Sequence, residues 1–277
     1  MGSQGIFNER SSRHDFDGGR RSSPYFEFRH VSISFGNNQV LNDVSFSVMP
    51  GETVCLMGKS GVGKSVSLRI LVGFLKPDAG RVIAAGSDIT DFSEEQLQDL
   101  RKKVSMIFQS GALFDSLTVR DNVAFPLRER GELTEPEICQ IVEDLLDMVG
   151  VRHVADKLPS EVATGMKRSV AIARALAAGP EAVLYDEPTT MVDPIMARRL
   201  ANLIATVKSQ LKLTSVVVTH DTWLAEKVAD RVIFLDQAKV VFFGTVPEMQ
   251  RSSVPLVRCF LELDRINFRV LQEMRAA

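Results

Sequence analysis

The sequence predicts an α/β fold: a core of short buried strands, an antiparallel β portion ahead of it and a helical insertion within it. Three observations predict this. Four short apolar runs, at residues 54–57, 104–108, 182–185 and 216–219, each lead into a polar or glycine-rich stretch, as the buried strands of an open sheet do. Residues 25–49 alternate apolar and polar side chains around a Gly-Asn-Asn turn, which is the pattern of two or three antiparallel strands. Between about residues 93 and 170 the apolar spacing becomes helical and interrupts the run of core strands.

The stretch around which the chain is organised is 54–73. Residues 54–57 read as a buried strand. Gly58-Lys59-Ser60-Gly61-Val62-Gly63-Lys64-Ser65 follows and satisfies G-x-x-x-x-G-K-S/T at every fixed position. Val66, Leu68, Ile70 and Leu71 then start a helix. Glycines let the backbone curl so that several N–H groups face one anion, and the helix adds its unpaired N–H groups and positive dipole end. Lys64 can reach the β- and γ-phosphates of a nucleotide, and the Ser65 hydroxyl can ligate Mg²⁺. A plain glycine-rich turn is the competing reading, and the flanking strand and helix argue against it.

Composition sets the bounds. The chain has 277 residues, 45% apolar and 25% charged, with a net charge of −2, which speaks against a general nucleic-acid binder. Cys55, Cys139 and Cys259 are too scattered for a disulfide framework or a zinc site, and Cys55 reads as packed core. No run approaches the length of a membrane-spanning segment. Residues 1–23 are polar, lack an apolar signal core despite Arg20-Arg21, and read as a disordered tail.

Taken in order, Phe35 precedes the first turn, where it is either a base-stacking aromatic or an ordinary sheet-packing side chain. Pro50-Gly51 turns the chain into the first core strand. Lys76 to Gly80 form a turn, 81–89 a short strand pair, and 93–102 a polar helix capped by Asp91 or Ser93. The strand at 104–108 ends at Gln109; a glutamine there can ligate Mg²⁺ or position water, although spacing alone favours an ordinary exposed side chain. Residues 110–130 read as loop-rich and unusually apolar, and 134–149 and 165–178 as amphipathic helices. The apolar loop is either buried core or a face that receives a partner. Asp186 and Glu187 follow the strand at 182–185, where an Asp can hold Mg²⁺ through water and a Glu can polarise an attacking water. His220 and Asp221 follow the strand at 216–219, which makes His220 a candidate γ-phosphate contact. Residues 231–235 and 239–243 read as closing strands. The spacing in 254–274 suits one or two helices that pack on the core or on a second subunit.

GKSGVGKS, Gln109, the ATGMKR helix start, VLYDEP and VVVTHD, in this order, resemble the ABC-transporter ATPase family over residues 25–247. QSGALFDSLTVRDNVAFPLRE and LPSEVATGMKRSVAIARALAAGPEAVLYDEP are most similar to the ATPase subunits of Mla/Mce-type lipid transporters. The resemblance implies a P-loop NTPase (RecA-like) core with an antiparallel β subdomain and an inserted α-helical subdomain. The ATPase domain would cover 24–247, with a C-terminal helical extension at 248–277. It implies that Phe35 stacks on adenine, that Gly58 to Ser65 cradle the phosphates of ATP, and that Ser65, Gln109 and Asp186 serve Mg²⁺. Glu187 would be the general base, and His220 would contact the γ-phosphate. Asp193 would lie in the loop facing a second ATPase subunit, homologous or identical, that closes head to tail over two ATPs. Coupling helices of a polytopic permease would enter grooves after Gln109, an Mce-type lipid-binding protein is a further implied partner, and no nucleic acid is. The chain would sit peripherally on the cytoplasmic face of the inner membrane.

Two departures bear on activity. The family signature Leu-Ser-Gly-Gly-Gln/Met reads Val162-Ala163-Thr164-Gly165-Met166, so Ala163 lacks the hydroxyl for a partner's γ-phosphate and Thr164 replaces a glycine. The lost bond costs about 1.5–3 kcal/mol of closed-dimer stability. Met191-Val192 stands where relatives carry Gly-Leu. The leading expectation is a transport ATPase; a slow-turnover, ATP-switched structural subunit is the alternative, and a non-transport ATPase the weakest.

Overall fold

The computed structural model describes residues 23–109 and 111–262. The expected tail therefore lies outside the described residues but for Ser23, as does the extension beyond 262.

Residues Phe26–Phe35 (β1) and Asn38–Val48 (β2) form the antiparallel hairpin that their alternation calls for. Strands β4 (Ala79–Ala84) and β5 (Ser87–Asp88) complete a four-stranded sheet in the order β2-β1-β4-β5. The main sheet has six strands in the order β10-β9-β3-β8-β7-β6. Its members are β3 (Thr53–Met57), β6 (Val104–Ile107), β7 (Ala182–Asp186), β8 (Thr214–Val218), β9 (Arg231–Asp236) and β10 (Lys239–Thr245). From β9 through β3, β8 and β7 to β6 every pairing is parallel, and only β10 runs against its neighbour. The carboxyl ends of β3, β6, β7 and β8 consequently emerge along one edge.

Strand β3 is buried throughout, as its unbroken apolar run requires. Its side chains alternate between two cores. Cys55 and Met57 join the helical side with Val123, Leu145, Ile172 and Leu200. Val54 and Leu56 face Leu68 and Leu71 of helix α1 (Lys64–Leu71) and the inner face of the small sheet, Phe26, Phe28 and Val44. The strand that leads into the glycine loop is thus clamped on both faces.

Helix α2 (Glu94–Lys103) begins with a capping box in which Ser93, rather than Asp91, is the cap. The stretch read as loop-rich is partly helical, because residues Val119–Arg130 form α3 with Pro126 inside it. Proline disfavours a helix interior by about 3 kcal/mol. Here Val119, Val123 and Leu127, four apart, are buried and carry α3 onto the core. Thr118 caps it, and the N–H groups of Val119 and Arg120 donate to the carbonyls of Lys157 and Ala155 at 2.9 and 2.8 Å. Helices α4 (Glu135–Met148) and α5 (Thr164–Ala177) complete the helical insertion. Helices α6 (Pro194–Leu211) and α7 (Thr222–Val228) follow β7 and β8, and α8 (Val246–Gln250) follows β10. Residues 255–262 are helical; Val257 is fully buried, and Phe260 meets Phe234 edge to face at 5.5 Å. This part of the extension packs on the core of its own chain.

Candidate active site

The loop after β3 is shaped by its glycines. Gly58 and Gly63 have φ of 146° and 102°, in the region that favours glycine. A Cβ on Gly58 would collide with the Leu235 carbonyl, and one on Gly63 would come within 2.8 Å of the Val40 carbonyl oxygen. Lys59, Ser60 and Gly61 form the exposed crest, while Val62 is half-buried against the sheet. Gly63 is the N-cap of α1 and offers no side chain, so the first N–H groups of the helix stay available to an anion.

Lys64 is buried, and its ammonium is folded into the loop, donating to the carbonyls of Gly58 at 2.8 Å and Lys59 at 3.1 Å. Its Nζ also lies 3.5 Å from Glu187 Oε1. The Ser65 hydroxyl donates to Asp186 Oδ1 at 2.7 Å, joining the first turn of α1 to the end of β7. His220 Nδ1 lies 2.9 Å from Glu187 Oε2, and the Thr190 hydroxyl donates to the same oxygen at 3.0 Å. The helix start after the β3 loop, the end of β7 and the turn after β8 therefore converge on one cluster.

The two adjacent carboxyls are tuned in opposite directions. Burial raises Asp186 above the usual carboxylate range and outweighs the Ser65 hydrogen bond; the Glu187 charge adds to the rise. Burial also pushes Glu187 up, but the hydrogen bond and charge of His220, with Lys64 and Thr190, outweigh it and hold Glu187 below its ordinary value. His220 is raised, chiefly by its bond to Glu187. An ionised Glu187 with an imidazole and a hydroxyl fixing its orientation is equipped to accept a proton from water. Its backbone is in the left-handed region, φ 48°, while its N–H donates to the Val218 carbonyl at 2.9 Å. That bond pins a strained residue at the sheet edge.

The buried Asp186 carboxyl and the Ser65 hydroxyl present hard oxygens side by side, a donor set that suits Mg²⁺. The remaining expected site residues sit further out. Gln109 is exposed at the end of β6, and among the described residues its amide makes one hydrogen bond, to Met191 Sδ at 4.0 Å, rather than one to Ser65 or Asp186. Phe35 is 48% exposed at the tip of β1, which fits a stacking surface better than a packed sheet position. Ala163 is the N-cap of α5 and makes no side-chain cap; Ala163 and Thr164 are exposed. Gly165 is buried beneath Met196, where a Cβ would lie 2.6 Å from its methyl carbon and 3.0 Å from its Cβ. Asp193 caps α6, accepting from the N–H groups of Ile195 and Met196 at 3.0 Å each. Met191 and Ile195 beside it are 81% and 60% exposed.

Sequence reading missed Thr190 and its bond to Glu187. A threonine three residues after a left-handed turn carries no signal until the turn is known. It also missed Asn122, wholly buried, whose amide holds the carbonyls of Phe114, Leu117 and Thr118 and accepts from the Phe114 N–H at 2.8 Å. That network shapes the loop bordering an apolar groove of about 460 Å³ between β6 and α5, lined by Phe74, Phe108, Phe114, Phe125, Arg101 and Arg174 among others.

The family model described as ABC transporter matches residues 41–190. The chain is 39% identical over 236 residues to the intermembrane phospholipid transport system ATP-binding protein MlaF of Escherichia coli strain K12, covering 85% of this chain and 88% of that protein. It is 38% identical over 240 residues to the probable ribonucleotide transport ATP-binding protein mkl of Mycobacterium tuberculosis strain H37Rv, covering 87% and 67%. A solved dimeric ATP-binding cassette in a post-hydrolysis state, bound to ADP and Pi, superposes with a TM-score of 0.73 at 30% identity, covering 80% of this chain and 98% of that one.

Proposed function

We propose that this chain, which belongs to the ABC transporter family, is the ATP-hydrolysing subunit of a complex that moves phospholipid or another lipid across or between envelope membranes. The observation that carries the reading is the convergence of Lys64, Ser65, Asp186, Glu187 and His220, from the segments that follow three core strands, onto one cluster.

In this reading the phosphates of ATP lie across the loop from Gly58 to Ser65. The Lys64 ammonium leaves the Gly58 and Lys59 carbonyls for the β- and γ-oxygens and releases its contact with Glu187. Ser65 and Asp186, joined by Gln109 when its loop moves inward, would hold Mg²⁺, which neutralises charge on the β- and γ-phosphates. Glu187 takes the proton from the attacking water, and His220 and Thr190 keep its carboxylate aimed. Phe35 supplies a face for the adenine base.

The partners follow from the surface. Among the described residues no helix is long and apolar enough to cross a membrane, so membrane attachment would come through a polytopic permease. The apolar groove beside Gln109 is the seat we assign to its coupling segment, and an Mce-type lipid-binding protein would complete the pathway. A second ATPase subunit would bury Met191 and Ile195 and present its own residues 163–165 to the nucleotide. This arrangement sets the chain peripherally on the cytoplasmic face of the inner membrane.

The name of the mycobacterial relative points to ribonucleotide as a different cargo, so the test carries both. The complex co-purified with its permease is reconstituted into vesicles with fluorescent phospholipid or labelled ribonucleotide. ATP-dependent phospholipid movement that is lost with Lys64→Ala is the expected result. ATP hydrolysis with ribonucleotide movement and no lipid movement would overturn the cargo assignment.

A further inference from the structure

Helix α5 carries a buried cation that the mechanism above leaves without a role. Arg168 is only 5% exposed, and burial lowers its affinity for a proton. No carboxylate among the described residues pairs with it. Its guanidinium donates instead to two backbone carbonyls, Nη1 to Phe108 at 3.4 Å and Nη2 to Thr190 at 3.3 Å. Burying a guanidinium without a carboxylate partner is costly and is offset only where other acceptors take up its N–H groups. The acceptors are informative. Phe108 immediately precedes Gln109, and Thr190 holds Glu187 and immediately precedes Met191. The helix itself starts at the signature residues Ala163 to Gly165.

We propose that Arg168 is a positioning residue for hydrolysis: its planar fork ties the Gln109 loop and the Glu187–Thr190 turn to the signature helix, so that the three move as one unit. Guanidinium suits this task because its N–H groups diverge in a fixed plane and reach two carbonyls at once, whereas a lysine ammonium is a compact point charge on a flexible stem. Neither carbonyl belongs to the nucleotide loop, so the tie acts on the chemical step rather than on ATP affinity. Movement of the groove beside Phe108 would then reach Glu187 through one side chain, without passing through the nucleotide.

The inference rests on the ATPase reading, and the two fail differently: an inactive unaltered complex sinks the ATPase reading, whereas an active one with indifferent variants sinks only the role of Arg168. Steady-state hydrolysis and fluorescent-nucleotide affinity are measured on the full chain in its membrane complex for the unaltered protein, Arg168→Met, Arg168→Lys, Gln109→Ala and the Gln109→Ala/Arg168→Met double variant. Arg168→Met is expected to lower kcat about tenfold or more with nucleotide affinity within about twofold, and Arg168→Lys to recover only part of it. On the Gln109→Ala background Arg168→Met should add less than its separate effect, because both act through one loop. Unchanged kcat in Arg168→Lys or Arg168→Met, a loss of nucleotide affinity equal to the loss of kcat, or fully multiplicative effects would overturn the proposal. Should Arg168→Met fail to fold, wild-type kcat in Arg168→Lys would overturn it alone.

Discussion

Substituting Ala163→Ser separates two effects that coincide at one residue. Ala163 is the N-cap of α5, with φ −59° and ψ 146°, and it makes no side-chain hydrogen bond. The backbone is already in the extended conformation of a capping residue, so a serine hydroxyl can accept from an N–H of the first turn without rearrangement. Replacing alanine by serine at such a position stabilises by about 1 kcal/mol. For a chain of this size that raises the thermal midpoint by about 2–4 °C. The second effect needs nucleotide and a partner: a hydroxyl donating to the partner's γ-phosphate adds about 1.5–3 kcal/mol, which is about 10- to 150-fold in ATP-dependent dimerisation. Differential scanning fluorimetry without nucleotide reads the first, and analytical ultracentrifugation with ATP, on a Glu187→Gln background to prevent turnover, reads the second. A raised midpoint with unchanged dimerisation refutes the trans phosphate contact. A change in neither refutes the capping argument as well.

Two further outcomes follow from the same structure. Asn122→Ala removes the acceptor of the Phe114 N–H and the bonds the buried amide donates to the Phe114, Leu117 and Thr118 carbonyls, so we expect a loss of about 3 kcal/mol in urea unfolding, with permease binding weakened and nucleotide affinity intact; an unaltered midpoint would contradict the role given to the amide. Asp121 is held below the ordinary carboxylate range first by the Thr118 hydroxyl and then by Arg128, and Glu135 first by Arg128. A carboxyl lowered in the folded state contributes stability above its unfolded pKa and loses it as pH falls through the folded one. Arg128→Met should therefore shrink the difference in unfolding midpoint between about pH 7 and about pH 3, and an equal or larger difference would refute the coupling.

Much of the site was legible because its chemistry is local in sequence. GKSGVGKS carries its own turn glycines, lysine and hydroxyl, and the apolar runs before Asp186 and His220 place those side chains at strand ends without reference to the fold. What was not legible depends on contacts distant in sequence. The helicity of Val119–Arg130 is decided by burial of one face against α5, which overrides Pro126. Helix α6 carries sequence signals of its own in Asp193-Pro194, a cap followed by a first-turn proline, and in Leu200, Ile204 and Val207. The reach of Gln109 was inferred from its strand end, whereas the structure turns its amide to Met191, a contact that no spacing rule contains. The partners of Glu187, His220 above all, likewise set it apart from Asp186, although in sequence they are two neighbouring acids.

The most direct test of the account is to compare Glu187→Gln with the unaltered chain in single-turnover hydrolysis alongside equilibrium ATP binding. The amide keeps the size and approximate bonding of the side chain but cannot accept the proton of water. The account predicts ATP affinity within a few-fold and a hydrolysis rate lower by about 10²–10⁴. Hydrolysis at the unaltered rate would contradict the assignment of Glu187 as the base, and with it the claim that these strand ends form a single ATP-hydrolysing site.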